Sequence, residues 1–361
     1  MDSFALLASG LIEKIGEKNS AIKNHKQGFE TMESLLNKSG VLKSFDMLSA
    51  IGHRVVHGGE KFKNPILIDD EVIKVIKELI PLAPLHNPAN LEGIKSAMEH
   101  AKDIPNIAVF DTAFHQTLPD YAYLYALPFE MYEKHQIRRY GFHGTSHSFV
   151  AKKTAEYIKK PLEALNLITL HLGNGASVAA IKNGKSIDTS MGMTPLEGLI
   201  MGTRSGDIDG GVIFYLARNL GFSVDEIDTL LNKNSGLKGI CKNNDLREIM
   251  NLAQNSDKLA KLAIEMFVYR IKKYIGSYLA ILGKVDAIVF TGGIGENAAK
   301  IREKICIGLE NIGIILDSEK NSKPLKDINK LNKKGKIKLF AVRTNEELEI
   351  AVQMKKLLVG N

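Results

Sequence analysis

Four short apolar runs recur along this chain, and their placement constrains its fold more than any other feature. Runs of this kind are typical of strands buried on both faces of a parallel sheet. Segments with apolar residues at helical spacing lie between them, so the sequence predicts an α/β protein. The four runs are Ile107–Phe110, Leu165–Leu170, Val285–Phe290 and Leu339–Val342.

Two further segments refine this prediction. Asn183-Gly184 separates the strand-like stretches Ser177–Ile181 and Ser186–Thr189, and Asn-Gly is the strongest short-range signal for a β-hairpin. Leu259–Leu282 keeps apolar residues at helical spacing over its whole length, which predicts one long core helix. We therefore expect mixed rather than purely parallel sheets.

Length and composition bound the class of protein. A chain of 361 residues exceeds what one hydrophobic core usually supports, so we expect two domains. The longest apolar runs fall far short of the roughly 20 residues that span a bilayer, and no secretory leader pattern is recognised, which predicts a cytoplasmic protein without a membrane partner. The net charge of +7 comes from dispersed lysines, a pattern that argues against nucleic acid and suits anionic ligands. Cys241 and Cys306 lack partners at metal-ligand spacing, so neither a disulfide nor a zinc site is predicted.

Two glycine-rich segments follow predicted strands. The glycines of Gly173–Ser177 lack the side chains that would keep a phosphate away from the backbone amides. A tight turn between strands would explain the same glycines. Gly292–Asn297 precedes a predicted helix, Ala298–Leu309, so its amides could face a nucleotide at the helix start. Neither segment has the GxGxxG spacing of a dinucleotide site, which disfavours an oxidoreductase, and the GxxxxGK[ST] phosphate loop is absent from the sequence.

Charged side chains lie beside the same features. Arg54 and Arg204 each have glycine neighbours; guanidinium groups grip carboxylates and phosphates bidentately, but an ion pair explains either arginine in isolation about as well. Asp111 and Glu346 follow predicted strands, where ligands bind in open α/β sheets. His143 lies in a glycine-flanked turn, a position where a lone histidine is more often structural than catalytic.

Seven strings, in this order, resemble the acetate kinase family from Ile51 to the carboxyl end of the chain. They are HRVVHGGE, FDTAFHQT, YGFHGTSH, HLGNGAS, MGTRSGDIDG, TGGIGEN and TNEELEIA. The resemblance implies the two-domain fold of the sugar kinase, Hsp70 and actin group, with ribonuclease H-like domains. It also implies reversible transfer of a phosphoryl group from ATP to acetate, giving acetyl phosphate and ADP, with Mg²⁺ or Mn²⁺ and in a homodimer.

The resemblance further assigns roles to residues. Arg54 and Arg204 would hold the carboxylate and the transferring phosphoryl group, and His143 would donate to the oxygens that carry charge in the transition state. Asp111 would orient the acetate or its metal environment, and Glu346 would hold magnesium through water. Contacts to the nucleotide would come from His171, Gly173, Asn174, Gly175, Asp245, Leu246, Arg247, Gly293, Ile294, Gly295, Glu296 and Asn297.

The resemblance also predicts a pocket for the methyl group of the acid, with Arg54 at its carboxylate end. Its apolar wall would be Val56, Leu85, Phe142 and Pro195. Valine at position 56 favours acetate, but one methylene in an apolar pocket is worth only about 1–3 kcal/mol. A propionate or butyrate kinase therefore stays an alternative.

The chain departs from the family pattern at its beginning. Family members start with a strand leading into an Asn-x-Gly-Ser-Ser-Ser loop that contacts phosphate, and no such segment precedes Asp2. Loss of about 25 residues there would remove a central strand and expose sheet edges. We therefore expect weakened or absent activity, and a non-catalytic nucleotide-binding protein is a second alternative.

The predicted boundary between domains follows the same resemblance. A first domain, on the acetate-binding side, would span residues 1–112 and 348–361, and a nucleotide-binding domain would span residues 113–347. The long helix predicted over Leu259–Leu282 could contribute to the homodimer.

Overall fold

The computed structural model describes residues 4–13, 15–16, 20–84 and 86–360. The chain divides into two compact units, Met1–Ala113 with Glu346–Asn361, and Phe114–Asn345. The strands are β1 (Ile51–Val55), β2 (Ile66–Leu67), β3 (Asn106–Phe110), β4 (Asn166–Leu172), β5 (Ala176–Lys182), β6 (Lys185–Thr189), β7 (Ala287–Thr291), β8 (Ile328–Lys330) and β9 (Lys338–Val342).

Helices of very different length connect these strands. They are α1 (His25–Lys38), α2 (Asp70–Glu78), α3 (Asn87–His100), α4 (Asp120–Tyr123), α5 (Glu130–His135), α6 (Gly144–Ile158), α7 (Gly211–Leu220), α8 (Val224–Lys233), α9 (Gly236–Cys241), α10 (Leu246–Gln254), α11 (Lys258–Leu282), α12 (Gly292–Asn297), α13 (Ala299–Cys306), α14 (Ser318–Ser322) and α15 (Glu346–Val359). In the described part of the chain, none of them combines the length and apolar character needed to cross a bilayer.

The first unit is built on a three-stranded sheet in the order β1-β3-β2. β1 runs parallel to β3 with Val55 opposite Phe110, so the two strands end side by side. Phe62 stacks on Phe110 with ring centroids 4.6 Å apart, and Ile76 and Ile94 bring α2 and α3 into the same buried core. The residues that follow β1 and β3 therefore start from one edge of the sheet.

The second unit is built on a six-stranded sheet in the order β6-β5-β4-β7-β9-β8. β4, β5 and β6 form an antiparallel meander, and β7 and β9 run parallel to β4, which is the ribonuclease H-like order. The predicted hairpin is confirmed, since Asn183 and Gly184 join β5 to β6 with φ of 50° and 78°, as a type I′ turn requires. The carboxyl ends of β4, β7 and β9 share one edge of this sheet.

Two details differ from the sequence-based prediction. The long helix forms, as α11, but Leu259 and Leu262 are 51% and 44% exposed, because the apolar residues chosen from the sequence cover more than one face of it. Phe267 and Ile271, from the same predicted set, are buried, together with Ala263, which was not predicted. Gly292–Asn297, predicted to be a loop before a helix, is itself the short helix α12.

Candidate active site

An arginine and two carboxylates meet beyond the ends of β1 and β3. Arg54 Nε and Nη2 donate to the two oxygens of Asp111 at 3.0 and 2.6 Å, and Arg54 Nε lies 3.5 Å from Glu346 Oε2. The Asp111 side chain is 1% exposed whereas that of Arg54 is 42% exposed. Asp111 raises the pKa of Arg54, so this guanidinium stays charged, is fixed from its buried side and keeps an open side for a ligand.

Glu346 supplies the clearest indication of a cation near this arginine. Its Oε2 atom is buried and accepts no hydrogen bond from the described residues, and burial raises the pKa of the carboxyl group. Mg²⁺ prefers such hard oxygen ligands and usually binds through one or two carboxylates plus waters and substrate phosphates. Within the described residues no group of three or more His, Cys, Asp or Glu side chains is arranged to hold a metal. The donor chemistry of Glu346, with Asp111 near it, fits a magnesium ion.

Two asparagines of α3 hold the backbone that follows β1. The N–H of Val56 donates to Asn90 Oδ1 at 3.1 Å, and the N–H of His57 donates to Asn87 Oδ1 at 3.2 Å. Both contacts fix the position of Val56, the residue predicted to set the size of the substrate. Neither asparagine was predicted to be functional, although polar residues at i and i+3 on a packed helix are a usable signal. Leu85, another predicted pocket residue, lies outside the described residues.

Arg204 is the main cation at the carboxyl edge of the six-stranded sheet. Its Nη1 donates to the carbonyl oxygen of Pro195 at 2.8 Å, and the loop before it is fixed by a bond from Gly202 N–H to Asn174 O at 2.9 Å. Burial lowers the pKa of Arg204, and no carboxylate of the described residues opposes that shift. A partly desolvated guanidinium without an acidic partner is costly unless an anion binds it.

His143 lies beside Arg204 and opens helix α6 with a left-handed backbone, φ 57°. Such a conformation in a residue other than glycine costs free energy and is concentrated at functional sites. The ring stacks on His171 with centroids 4.2 Å apart. A methyl group placed on Gly175 would lie 3.4 Å from His143 Nε2 and 3.6 Å from Arg204 Nη2. Glycine thus keeps open the space on which both side chains converge, while the neighbouring Phe142 is 2% exposed.

A cavity of about 760 Å³ lies in the second unit, a size that suits a nucleotide. Eight residues predicted to contact the nucleotide line it: Gly173, Asn174, Asp245, Leu246, Arg247, Gly293, Ile294 and Asn297. Four others that were predicted do not: His171, Gly175, Gly295 and Glu296. Seven further lining residues were not predicted, and several of them are ordinary residues on the amphipathic helix α10. They are Gly202, Leu237, Asn244, Met250, Asn251, Gln254 and Ala298.

Polar side chains around α12 explain why some predicted residues are not in the cavity wall. Glu296 Oε1 accepts from the N–H groups of Gly292 and Thr344 at 3.1 and 3.0 Å, so it joins the ends of β7 and β9. Arg302 is buried and donates at 2.8 Å to the carbonyl oxygens of Gly295 and Glu296, which would otherwise be unsatisfied at the end of α12. Burial lowers the pKa of Arg302 to about 10. Arg302 was not predicted to be functional, since its spacing in α13 carries no signal of this contact.

Asp245 and Arg247 stand at the start of α10, on the cavity wall. The side chain of Asp245 caps the helix by accepting from Arg247 N–H at 2.9 Å, and Arg247 Nε donates back to it at 3.0 Å. These bonds lower the pKa of Asp245 to about 2, so it is an anion. The Arg247 side chain is 91% exposed and is available to a ligand in the cavity.

Comparison with known proteins places the chain among related sequences and structures. The model of the acetokinase family matches residues 4–352. A protein of Helicobacter acinonychis named acetate kinase is 55% identical, with 98% of this chain and 93% of the relative covered; one of Sulfurovum is 53% identical, with 96% and 92% covered.

Two solved structures are also similar in fold. The acetate kinase of Porphyromonas gingivalis has a TM-score of 0.88 and 47% identity, covering 94% of this chain and 86% of that one. A propionate kinase of Francisella tularensis has a TM-score of 0.86 and 49% identity, covering 91% and 84%.

Proposed function

This chain is an enzyme of the acetokinase family, and from that premise we propose that it transfers the terminal phosphoryl group of ATP to acetate. The products are acetyl phosphate and ADP, and the reaction runs in either direction. The observation that carries the proposal is Arg204, a partly desolvated cation with no acidic partner among the described residues, which converges with His143 on the open space at Gly175. Such a group is built for a ligand rich in negative charge.

The chemistry needs little from the protein besides position and charge. A carboxylate oxygen of acetate attacks the terminal phosphorus, the bond from that phosphorus to the oxygen of ADP breaks, and ADP leaves with the electron pair. Acetate is already deprotonated, so no general base is required and direct in-line transfer suffices. Catalysis then depends on stabilising the charge that develops on the phosphoryl oxygens.

The proposed roles follow from the contacts of each residue. Arg54, fixed by Asp111, binds the carboxylate of the acid. Arg204 and the Nε2 side of His143 bind the phosphoryl oxygens. Glu346, with Asp111 near it, would hold magnesium, and the ion would supply further positive charge to the phosphates of the bound nucleotide.

The nucleotide would occupy the cavity of the second unit. Asn174 and the backbone of Gly173 contact phosphate at the turn between β4 and β5. Arg247 and Asp245 bind the ribose and adenine, and α12 borders the far side of the nucleotide through Gly293. The lining residues and the size of the cavity support this assignment.

Propionate is the second candidate acid, because a propionate kinase is among the similar structures. The hydroxamate assay of acyl phosphate, run with ATP, Mg²⁺ and acetate, propionate or butyrate in turn, separates the candidates. We expect the highest kcat/KM with acetate. A higher kcat/KM with propionate would replace the proposed substrate, and binding of ATP without product from any acid would favour a nucleotide-binding protein.

The proposal includes two expectations that rest on family resemblance, a cytoplasmic location and a homodimer. One surface supports the second expectation. Helix α7 has no buried residue, and Phe214 and Tyr215 on it are each 59% exposed. Apolar surface of this kind on a single chain often marks an interface.

A further inference from the structure

A chain of hydrogen bonds runs through the interior of the second unit and ends on His143. Thr169 Oγ1 lies 2.7 Å from His147 Nδ1, and His147 Nε2 lies 2.8 Å from Ser177 Oγ. Ser177 Oγ in turn lies 2.8 Å from His143 Nδ1. Thr169, His147 and Ser177 are each 0% exposed, so water does not compete for these contacts.

Few protons are available to the hydrogen bonds between Thr169 and His143. Burial, with a smaller contribution from neighbouring histidines, holds the pKa of His147 well below its ordinary value, so this ring is neutral and carries one N–H. A neutral imidazole donates from one nitrogen and accepts at the other, and a hydroxyl supplies one proton. Within the described residues, Ser177 Oγ contacts only the rings of His143 and His147, so its buried proton goes to one of them. If that proton goes to His143, all the bonds point toward His143; if it goes to His147, the bonds between Ser177 and Thr169 point away from His143.

The hydroxyl of Thr169 decides between the two directions. Within the described residues, its only hydrogen-bond partner is His147 Nδ1. If the bonds pointed away from His143, His147 would donate to Thr169, whose own proton would then be buried without an acceptor. Buried donors left in that state are rare because they lose their hydration without compensation.

If the bonds point toward His143, every proton between Thr169 and His143 is donated to an acceptor. Thr169 donates to Nδ1 of His147, His147 donates from Nε2 to Ser177, and Ser177 donates to Nδ1 of His143. Nδ1 of His143 is then an acceptor, so the single N–H of the neutral ring lies at Nε2. That atom is the one that faces Gly175, near Arg204 Nη2.

We propose that Thr169, His147 and Ser177 are positioning residues that hold His143 in the tautomer protonated at Nε2. Its catalytic consequence rests on the proposed function, since an Nε2–H donor is useful where negative charge develops on a phosphoryl group. The tautomer itself does not depend on that function. These hydrogen bonds thus add three residues, one each on β4, α6 and β5, to the histidine of the site.

Nitrogen NMR of histidine-labelled protein without ligand tests the tautomer directly, because the shifts of ring nitrogens report which one carries the proton. We expect His143 and His147 to be protonated at Nε2 in the natural sequence. Thr169→Val removes the proton that sets the direction, so a fraction of both rings becomes protonated at Nδ1. Ser177→Ala does this for His143 alone.

A matched control comes from Thr154 on α6. It is also 0% exposed, and its hydroxyl donates to the carbonyl oxygen of Val150 at 2.7 Å. This bond is not part of the hydrogen-bond chain that ends on His143. Thr154→Val should leave both tautomers unchanged. Protonation of His143 at Nδ1 in the natural sequence would overturn the proposal, as would tautomers that are identical in natural protein, Thr169→Val and Ser177→Ala.

Kinetics separate this inference from the proposed function. In Ser177→Ala we expect kcat with acetate to fall by about tenfold to a hundredfold with little change in the KM for ATP. Absence of phosphoryl transfer in the natural protein would remove the proposed function but leave the NMR result valid. A changed tautomer with an unchanged kcat would overturn the catalytic part of the inference alone.

Discussion

The surroundings of three arginines differ in a way that bears on what each can bind. Arg54 and Arg247 are both paired with an aspartate, Asp111 and Asp245. Among the described residues, Arg204 bonds only to a backbone carbonyl, and burial lowers its pKa. An aspartate already neutralises the charge of the first two before a ligand binds. The charge of Arg204 is neutralised only when an anionic ligand binds.

Replacing Arg204 by lysine should therefore cost activity even though the charge is kept. Lysine loses the bond to Pro195 and the planar fork, so we expect kcat/KM to fall by about 10²-fold or more. Arg343→Lys, at an exposed arginine of the same unit that the proposal does not use, is the control. Equal kinetics of the two variants would show that Arg204 does not bind the phosphoryl group.

Val56→Ala should change the choice of acid. The smaller side chain leaves room for about one more methylene, worth about 1–3 kcal/mol, so kcat/KM for propionate should rise relative to acetate. Val75→Ala, on α2 of the same unit, controls for a general loss of stability. If the ratio of the two kcat/KM values stays that of the natural protein, Val56 does not line the pocket.

The environment of Glu346 predicts how the requirement for Mg²⁺ depends on pH. Burial raises the pKa of this carboxyl group, so it takes up a proton at a higher pH than an ordinary glutamate and is then neutral. We expect the Mg²⁺ concentration needed for half-maximal activity to rise as pH falls from about 8 to about 5.

Part of that rise would come from protonation of the nucleotide, so the comparison with variants matters. Glu346→Gln should need more magnesium at high pH and show a weaker dependence on pH. Glu347→Gln, at the exposed neighbouring position, should behave like the natural protein. A Glu346→Gln profile parallel to that of the natural protein would exclude Glu346 as a ligand of the ion.

At this scale, residues in continuous motifs could be chosen from the sequence as candidates, and residues whose contacts span long sequence separations could not. His143 and Arg204 stand out in glycine-rich strings. Ser177 lies in one of these strings, but its contact with His143 is not visible there, and Arg302, which bonds the end of α12, looks like an ordinary helix residue. Their roles depend on which elements pack together.

Among the elements, α12 shows how a glycine can be required by packing. Gly292 has φ +74°, and a Cβ atom there would lie 2.8 Å from the carbonyl oxygen of Leu172 at the end of β4. The helix can follow β7 at this edge of the sheet only because position 292 has no side chain. This places Gly293 and Asn297 on the cavity wall.

Gly292→Ala should consequently destabilise the protein. The left-handed backbone alone costs about 1–2 kcal/mol for alanine, and the contact with Leu172 adds to it. Gly276→Ala is the matched control, since nothing lies within 4 Å of its Cβ position in α11 and alanine favours a helix by about 1 kcal/mol. Thermal unfolding should show a lower midpoint for the first variant and an equal or higher one for the second; a Gly292→Ala midpoint equal to that of the natural protein would contradict the packing argument.

Elements could be predicted where local chemistry decides them. Asn183-Gly184 specifies its turn through two residues that tolerate positive φ, and the hairpin formed as expected. The loop predicted over Gly292–Asn297 was wrong. Glycine is a poor helix former, so the sequence favours a loop there, but contacts with Arg302 and with β4 make this stretch helical. Neither contact is visible in a window of neighbouring residues.

For the whole molecule, the family and the fold predicted from seven strings are confirmed.

The homodimer stays a prediction, and the exposed residues of α7 offer a test. The double variant Phe214→Lys, Tyr215→Lys should sediment as a monomer, because buried lysines oppose association. Tyr121→Lys, at a tyrosine that is 85% exposed on α4, should keep the oligomeric state of the natural protein. A natural protein that sediments as a monomer at all concentrations would contradict the prediction.

The central claim is that the oxygen of a carboxylate attacks phosphorus within a site of fixed positive charge. Acetate labelled with ¹⁸O, incubated with ATP, Mg²⁺ and the full chain, tests it by ³¹P NMR. We predict acetyl phosphate whose phosphorus signal carries the isotope shift of a bridging ¹⁸O, together with unlabelled ADP. Formation of acetyl phosphate without that shift, or ATP binding with no acetyl phosphate at any enzyme concentration, would contradict the claim.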